Sequence, residues 1–202
     1  MPSEADLIIG IYQRHADEWV KYQEGRKVIE QHWLDRFQAL LPARGSILDI
    51  GCGPGFPIAQ NFIERGLGIT GIDTSPQLLA VCEARFPNHE WLLRDMRSLS
   101  LERQFDGLLA WNSFFHLTAD DQRRMFPVFS KHAAPGAPLM FTGGASSGVA
   151  IGTFGGEPLY HASLDPDEYR ALLADHGFEV VMYTPEDPDA GRMTIWLARK
   201  IS

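Results

Sequence analysis

The sequence is poor in cysteine and has no long apolar run. Its 202 residues include only two cysteines, Cys52 and Cys82, whose spacing fits neither a zinc site nor a disulfide framework. The N-terminus, MPSEADLIIG, is acidic before its short apolar stretch, which is the wrong order for a secretory signal. No segment approaches the roughly 20 apolar residues of a membrane-spanning helix. We therefore expect a soluble protein without a membrane partner, located in the reducing cytoplasm.

Positive charge is also scarce. The chain has 26 acidic and 18 basic side chains, which give a formal net charge of −8. Such a chain repels phosphate backbones, and its densest basic pair, Arg123 and Arg124, is typical of a solvated helix face. We expect no nucleic-acid partner. No cluster of acidic and amide side chains demands a metal, so we also expect no metal site; the oligomeric state is left open.

Strand and helix patterns alternate along most of the chain, and neither a repeat nor a low-complexity linker divides it, which favours a single domain over residues 1–202. The first 40 residues have helical spacing of their apolar side chains. Four strands and three helices are predicted next, with caps at Ser75 and Thr118; Pro127 should kink or prematurely end the third helix. The predicted segments are SILDIG, FPIAQNFIERG, GITGID, SPQLLAVCEARF, EWLLRD, FDGLLAWNSFFHL and TADDQRRMFPVFSKHA.

The last third of the chain changes character. PLMFTGG predicts a fifth strand, the Gly- and Ser-rich stretch GGASSGVAIGTFGGEPLYHASL predicts a mobile loop, and Asp165 caps a helix. FEVVMYT and RMTIWLARK are strands too closely connected for a helical crossover, so they should pair antiparallel. The predicted fold class is α/β, a doubly wound, mostly parallel seven-stranded sheet with helices on both faces and a C-terminal antiparallel hairpin.

Three glycines at alternate positions follow the first strand in ILDIGCGPG. A strand that runs into a glycine loop and then a helix is typical of the nucleotide-binding start of a doubly wound sheet. Phe56 stands where the dinucleotide fingerprint requires its third glycine, so the nicotinamide pattern is broken. Asp73 ends the next strand, near the offset of about 20 residues at which a carboxylate binds ribose hydroxyls. A tight turn without a ligand is the alternative interpretation of the glycines alone.

The segments ILDIGCGPG, GIDTS, RDM and FDGLLAWNSFFHL, in this order and spacing, resemble the successive motifs of class I S-adenosylmethionine-dependent methyltransferases that act on small molecules. The resemblance is strong over residues 45–140. It implies a Rossmann-like methyltransferase fold, S-adenosyl-L-methionine as cofactor, S-adenosyl-L-homocysteine as product and a small-molecule acceptor. It also implies an N-terminal helical cap over 1–42, a cofactor-binding core over 43–142, and an acceptor-side loop with the C-terminal helix and hairpin over 143–202.

The resemblance also implies roles for individual residues. Gly51, Gly53 and Gly55 would admit the methionine and ribose portions of the cofactor, with Asp49 orienting their loop, and Asp73 would hold both ribose hydroxyls. The other implied cofactor contacts are Thr74 beside the adenine, Asp95 and Met96 at its amino group and face, Asn112 below the methyl donor, and Tyr12 and Trp19 closing over the cofactor.

Methyl transfer from a sulfonium is an in-line displacement, so alignment and exclusion of water can supply much of the acceleration. If the acceptor is a hydroxyl or thiol, the candidate bases are His116 and His161, although each could instead be a hydrogen-bonded or surface histidine. Ser113 and Phe114 replace the prolines of the Asn-Pro-Pro-aromatic loop of nucleic-acid methyltransferases. Two alternatives stay open: a module that binds the cofactor without turnover and, less favoured, a nicotinamide-dependent oxidoreductase.

Overall fold

A computed structural model describes residues 4–201. Seven of its nine strands form one sheet in the order β3-β2-β1-β4-β5-β9-β8, and β6 and β7 form a separate pair. The strands are β1 Ser46–Ile50, β2 Gly68–Asp73, β3 Glu90–Leu93, β4 Gly107–Ala110, β5 Pro138–Gly143, β6 Gly148–Phe154, β7 Glu157–Ser163, β8 Phe178–Asp187 and β9 Met193–Lys200. Strands β1 to β5 pair in parallel, whereas β9 is antiparallel to both β5 and β8. The predicted sheet, with its C-terminal antiparallel hairpin, is confirmed.

Seven α-helices accompany the strands in the described part of the chain. They are α1 Glu4–Arg14, α2 Ala16–Gly25, α3 Gln31–Gln38, α4 Ile58–Glu64, α5 Pro76–Arg85, α6 Ala119–His132 and α7 Pro166–Asp175. The three predicted caps are present, since the side chains of Ser75, Thr118 and Asp165 each accept a backbone N–H bond from the first turn of the helix that follows. No helix among these described residues is long and apolar enough to cross a membrane.

Two helix predictions need correction. The N-terminal helical segment is interrupted, because Arg26 after α2 takes an extended conformation (φ −82°, ψ 134°) and α3 begins only at Gln31. Of the two effects predicted for Pro127, an early end of α6 is wrong, since the helix continues to His132, and a kink stays a prediction. A proline removes one helical hydrogen bond, but the face of α6 that carries Met125 and Phe129 is fully buried, and this packing outweighs the lost bond.

The predicted mobile loop after β5 is wrong over most of its length, because residues 148–163 form the regular antiparallel pair β6–β7. Gly155 and Gly156 both have positive φ (58° and 78°) and connect the paired residues Phe154 and Glu157. A two-residue turn with positive φ at both positions matches the right-handed twist of a hairpin, and only glycine adopts it without strain. The glycines that suggested disorder therefore make the turn of a hairpin.

The sheet is buried on both faces, as a mostly parallel sheet must be. One face packs against α6 and α7 through a core rich in aromatic side chains, including Phe114, Phe126 and Tyr169. The other face packs against α3, α4 and α5, where Trp33 and Phe62 are fully buried. The carboxyl ends of β1, β2 and β4 lie together at one edge of the sheet, between the two layers of helices.

Candidate active site

A deep cleft lies at the carboxyl ends of β1, β2 and β4, beneath α1 and α2. Its empty space, measured out to the open mouth, is about 1040 Å³. In doubly wound sheets, ligands bind in the crevice outside the carboxyl ends of the strands. Most of the predicted site residues line this cleft: Tyr12, Trp19, Asp49, Gly51, Gly53, Asp73, Thr74, Asp95, Met96, Asn112 and His116. The structure thus brings together ten of the eleven predicted cofactor residues and one of the two candidate bases.

The two remaining predicted residues lie just outside the cleft wall. Gly55 is buried behind the glycine loop, where an added Cβ atom would lie 3.1 Å from the Cys82 sulfur. His161 is on β7, and its ring centroid is 4.9 Å from that of His116. Gly55 therefore lies beside Cys82 and His161 lies beside His116, but neither residue lines the cleft itself.

The glycine loop requires glycine for conformation and for packing. Gly51, Gly53 and Gly55 have φ angles of 77°, 55° and 77°, in the left-handed region that glycine adopts without strain. A Cβ atom on Gly51 would lie 2.4 Å from the Cβ atom of Ser113. The backbone N–H groups of Gly51 and Cys52 donate to the Ile72 carbonyl (2.8 and 3.0 Å), which anchors the loop to β2.

Asp73 holds the loop from the end of β2. One of its carboxylate oxygens accepts from the Gly53 N–H (2.9 Å) and the other from the Ser75 N–H (2.9 Å). Burial raises the pKa of Asp73, although these backbone bonds oppose the shift. The side chain that orients the glycine loop in this structure is therefore Asp73, in addition to its predicted role toward a ribose.

Asp49 lies under the same loop but is unpartnered. Its side chain is only 4% exposed, lines the cleft and forms no hydrogen bond with the rest of the described chain. Burial raises the pKa of Asp49 to about 7, with a further contribution from the nearby Asp73 charge. Two neighbouring acids in a shielded cleft favour a ligand that brings a positive charge or hydrogen-bond donors.

The third acid at the strand ends, Asp95, is held by an arginine that the sequence reasoning missed. Asp95 accepts from the Arg97 backbone N–H (2.9 Å), and its carboxylate pairs with the Arg97 guanidinium at 2.6 Å. Arg97 also pairs with Asp6 of α1 at 2.8 Å and lines the cleft. The acid and arginine two residues apart are a weak signal in the sequence, and the Asp6 contact spans 91 residues.

Helices α1 and α2 cover the cleft and are held there by a hydrogen bond and by contacts between aromatic rings. The Gln13 side-chain amide donates to the Thr74 carbonyl (2.9 Å). The rings of Tyr12 and Trp19 pack edge-on, with centroids 5.4 Å apart, and Phe154 of β6 lies 5.5 Å from each of them. The β6–β7 hairpin therefore supports the helices that roof the cleft.

Two ion pairs also join this helical region to the β6–β7 hairpin. Glu157, at the start of β7, pairs with Arg14 (2.6 Å) and with the imidazole of His15 (2.9 Å). These hydrogen bonds lower the pKa of Glu157 to about 2. Arg14 is exposed, and His15 and Glu157 are partly exposed, so we attribute to these contacts a role in alignment more than in stability.

The buried His116 and the partly buried Tyr12 form a hydrogen-bonded pair at the wall of the cleft. The His116 Nδ1 atom lies 2.9 Å from the Tyr160 carbonyl, and its Nε2 atom lies 3.0 Å from the Tyr12 hydroxyl. A carbonyl can only accept, so Nδ1 carries the proton and Nε2 accepts from the hydroxyl. Burial lowers the pKa of His116 to about 4 and raises that of Tyr12. The imidazole is therefore neutral at pH 7, with its basic nitrogen directed at a cleft-lining hydroxyl.

The turn after β4 is held by both neighbouring strands. The Asn112 N–H donates to the Thr142 hydroxyl of β5 (2.9 Å), and the Ser113 hydroxyl donates to the Ile50 carbonyl of β1 (2.5 Å). Asn112 has a φ of 52°, which is uncommon for a residue other than glycine.

In the described range 4–201, no group of three or more His, Cys, Asp or Glu side chains is arranged to hold a metal ion.

Comparison with known proteins finds methyltransferases that part of this chain resembles. Residues 47–136 match the family model described as a methyltransferase domain. Malonyl-[acyl-carrier protein] O-methyltransferase of Salmonella typhimurium is 32% identical over 117 residues, 56% of this chain and 45% of that protein. Trans-aconitate 2-methyltransferase of an Azoarcus species is 26% identical over 124 residues, 60% of this chain and 47% of that protein. The chain thus spans under half the length of these two curated relatives.

Among solved structures, 1,6-didemethyltoxoflavin-N1-methyltransferase of Burkholderia thailandensis superposes with a TM-score of 0.77 at 17% identity, covering 100% of this chain and 92% of that one. Its crystal structure contains 1,6-didemethyltoxoflavin and S-adenosylhomocysteine. At this identity the likeness establishes the fold. Together, the family match and the superposition confirm the resemblance seen in the motifs: residues 47–136 match a methyltransferase domain, and the described chain has the fold of S-adenosylmethionine-dependent methyltransferases.

Proposed function

We propose that this protein transfers a methyl group from S-adenosylmethionine to a small-molecule acceptor. The observation that carries the proposal is the convergence, in one cleft, of the glycine loop, the acids Asp49 and Asp73, and the neutral His116. The two curated relatives and the superposed structure described above are methyltransferases, and several solved structures of this fold contain S-adenosylmethionine or S-adenosylhomocysteine. This agreement supports both the reaction and the cofactor.

The residues that line the cleft fit this cofactor. S-Adenosylmethionine carries a sulfonium and an ammonium, and these positive charges would favour the ionised form of the unpartnered Asp49 carboxyl group. Asp73 would hold the ribose hydroxyls at the loop of Gly51, Gly53 and Gly55. The other assignments are Thr74 beside the adenine, Asp95 and Met96 at its edge and face, Asn112 below the methyl donor, and Tyr12 and Trp19 as the roof.

When bound, the cofactor supplies an electrophilic methyl group. The chain contributes alignment and exclusion of water, because α1 and α2 cover the cleft and the glycine loop is fixed by Asp73. His116 is the group that can take a proton from an acceptor hydroxyl or amine through Tyr12: the acceptor proton would pass to the Tyr12 oxygen while the Tyr12 hydroxyl proton passes to Nε2 of His116. We assign His161 only an indirect part, since it lies behind His116 and its charge would further disfavour protonation of His116.

The proposed acceptor is a small molecule. The curated relatives are named for malonyl-[acyl-carrier protein] and trans-aconitate, and the solved neighbour for 1,6-didemethyltoxoflavin. The net charge of −8 disfavours nucleic acid. We also propose a reducing, cytoplasmic setting, because Cys52 and Cys82 are free thiols that both lie against the Gly53 carbonyl.

The proposal is tested with methyl-labelled S-adenosylmethionine and a cell extract that is separated into small-molecule and macromolecular fractions. Asp73→Ala removes both proposed ribose hydrogen bonds, each worth about 1.5–3 kcal/mol when the acceptor is charged, which corresponds to a loss of about 10²- to 10⁴-fold in affinity for S-adenosylhomocysteine. Glu179→Ala, at an exposed acid on β8, is the matched control. We expect label in the small-molecule fraction with the wild type and the control, and none with Asp73→Ala.

Other outcomes of this experiment are equally informative. Label in protein or nucleic acid would overturn the proposed acceptor class. Tight binding of S-adenosylhomocysteine without transfer to any fraction would identify a module that binds the cofactor without turnover. Competition by NAD for the same cleft would favour an oxidoreductase.

A further inference from the structure

The two ends of the large sheet are protected against pairing with another chain. An exposed edge strand presents a row of N–H and C=O groups to any other strand, and proteins block such edges with short strands, charges, prolines or register shifts. At one end, β3 is only four residues long and carries Glu90, which pairs with Arg103. At the other end, β8 has two register shifts against β9 and carries Glu179 and Pro185.

Strand β6, at the edge of the small sheet, has none of these protections. It pairs with β7 over seven residues without a register shift, and on its other side it has no neighbouring strand in the described chain. It contains no proline and lies in residues 132–156, the longest stretch of the sequence without Asp, Glu, Lys or Arg. Its apolar side chains Val149 and Ile151 are 62% and 60% exposed. Strand β6 is therefore an edge that another strand can join.

The hydrogen-bonding groups at this edge can be assigned. In an antiparallel pair, residues that exchange hydrogen bonds alternate with residues whose N–H and C=O groups point away from the partner strand. On β7 the carbonyls of Tyr160 and Ala162 point away from β6, since they accept from side chains outside the hairpin. These two residues lie opposite Ile151 and Val149. Ile151, Val149 and, next in the alternation, Thr153 therefore direct their own N–H and C=O groups at the free edge.

We propose that β6 pairs antiparallel with β6 of a second copy of this chain. With a twofold axis at Ile151, that residue pairs with its own counterpart and Val149 pairs with Thr153, so each of the three pairs exchanges two N–H···O bonds. Two chains with a net charge of −8 repel each other, and the uncharged stretch that contains β6 is a surface at which they can meet. The inference is independent of the proposed function.

This pairing would stop at two copies. The joined sheet has the order β7-β6-β6-β7, and the outer edge of each β7 is already covered, because its outward carbonyls accept from side chains of the same chain. A twofold contact that uses the one open edge of each copy forms a closed dimer. One pair of strands, about 23 Å long, buries less surface than the standard interface of about 800 Å² per partner, so we expect dissociation in the micromolar range.

The first test measures association by sedimentation velocity at protein concentrations of about 1 to 500 µM. The wild type should change from monomer to dimer over this range and form nothing larger. Ile151→Lys sets two like charges opposite each other at the twofold axis and should weaken association at least about 10-fold. Val181→Lys, at an exposed apolar residue of β8, is the matched control and should dimerise like the wild type. Melting temperatures at the lowest concentration establish that both variants are folded.

Cysteine substitutions test the register. In the proposed pairing, the two Cα atoms at position 151 lie about 5.5 Å apart, within the range of a disulfide, whereas those at position 149 are about 14 Å apart along the strands. With oxidised glutathione, which takes up the two electrons released by the thiols, Ile151→Cys should form a disulfide between two chains and Val149→Cys should not. The wild type, with Cys52 and Cys82, gives the background.

Four results would overturn the inference: a wild type that stays monomeric, an Ile151→Lys variant that associates as tightly as the wild type, assemblies that grow beyond two copies, and equal cross-linking of Ile151→Cys and Val149→Cys. Each of them leaves the proposed methyl transfer untouched, because none of these measurements involves the cofactor.

Discussion

Replacing His116 by glutamine should remove part of the acid sensitivity of the fold. Burial lowers the pKa of His116 from the ordinary 6.5 to about 4. The unfolded chain therefore takes up a proton on this residue between pH 6.5 and 4, and the folded protein does not. Stability from this group is complete above pH 6.5 and is lost as the pH falls toward 4. Glutamine cannot ionise and keeps an amide within reach of Tyr12.

The difference between the two pKa values corresponds to about 3 kcal/mol of unfolding free energy. Between pH 7.5 and 5.0, about 2 kcal/mol of this should be lost in the wild type. Asp49 acts in the opposite direction, because burial raises its pKa to about 7; its protonation in the folded state adds stability as the pH falls. The pH dependence of the wild type therefore mixes both groups, and the difference between wild type and His116→Gln isolates the histidine.

The measurement is urea unfolding of both proteins, followed by tryptophan fluorescence, at several pH values from 7.5 to 5.0. Tyr12→Phe serves as the control, since it removes the hydroxyl bonded to His116 but leaves the imidazole able to ionise. It should lower stability at every pH and keep the wild-type pH dependence. A difference between wild type and His116→Gln that stays constant within about 0.5 kcal/mol over this range would refute the reasoning.

Three further substitutions test the packing. Gly51→Ala places a Cβ atom 2.4 Å from that of Ser113 at a φ of 77°, and should destabilise the protein by about 2 kcal/mol or more and abolish calorimetric binding of S-adenosylhomocysteine. Trp33→Phe removes the indole N–H bond to the buried carboxylate of Asp187 (2.6 Å), which should cost about 1.5–3 kcal/mol in urea unfolding. Thr118→Ala removes the cap of α6 and should lower the melting temperature by about 2–4 °C, the shift expected for about 1 kcal/mol in a chain of this size.

Local patterns in the sequence are enough to predict the sheet and the side of the cleft that the glycine loop and Asp73 form. An apolar strand, glycines at alternate positions and a carboxylate at the next strand end are short-range signals, so the sequence alone predicts that Gly51, Gly53 and Asp73 lie together. Their contacts agree with this, since Gly53 and Asp73 are bonded directly. Helix caps at Ser75 and Thr118 are predictable for the same reason, because a cap and its partner lie three residues apart.

What the sequence does not reveal depends on contacts between distant parts of the chain. Tyr12 and His116 are 104 residues apart, and no local pattern indicates that one holds the other. The β6–β7 hairpin escapes prediction because its exposed strands, with Val149 and Ile151 on the surface, lack the burial pattern that identifies a strand, and its glycines resemble those of a flexible loop. The continuation of α6 through Pro127 depends on burial of a face that only the tertiary structure provides.

The two hydrogen bonds of the His116 ring affect the site when the helices over the cleft, α1 and α2, open. Its two nitrogens are bonded to Tyr12 in α1 and to Tyr160 in β7, both of which lie outside the 47–136 segment that carries the family match. Local opening of the roof releases the first bond at the same moment that it admits water. The path for a proton from an acceptor through the Tyr12 hydroxyl to Nε2 of His116 is therefore complete only when α1 closes the cleft, and opening exposes Nε2 to water instead.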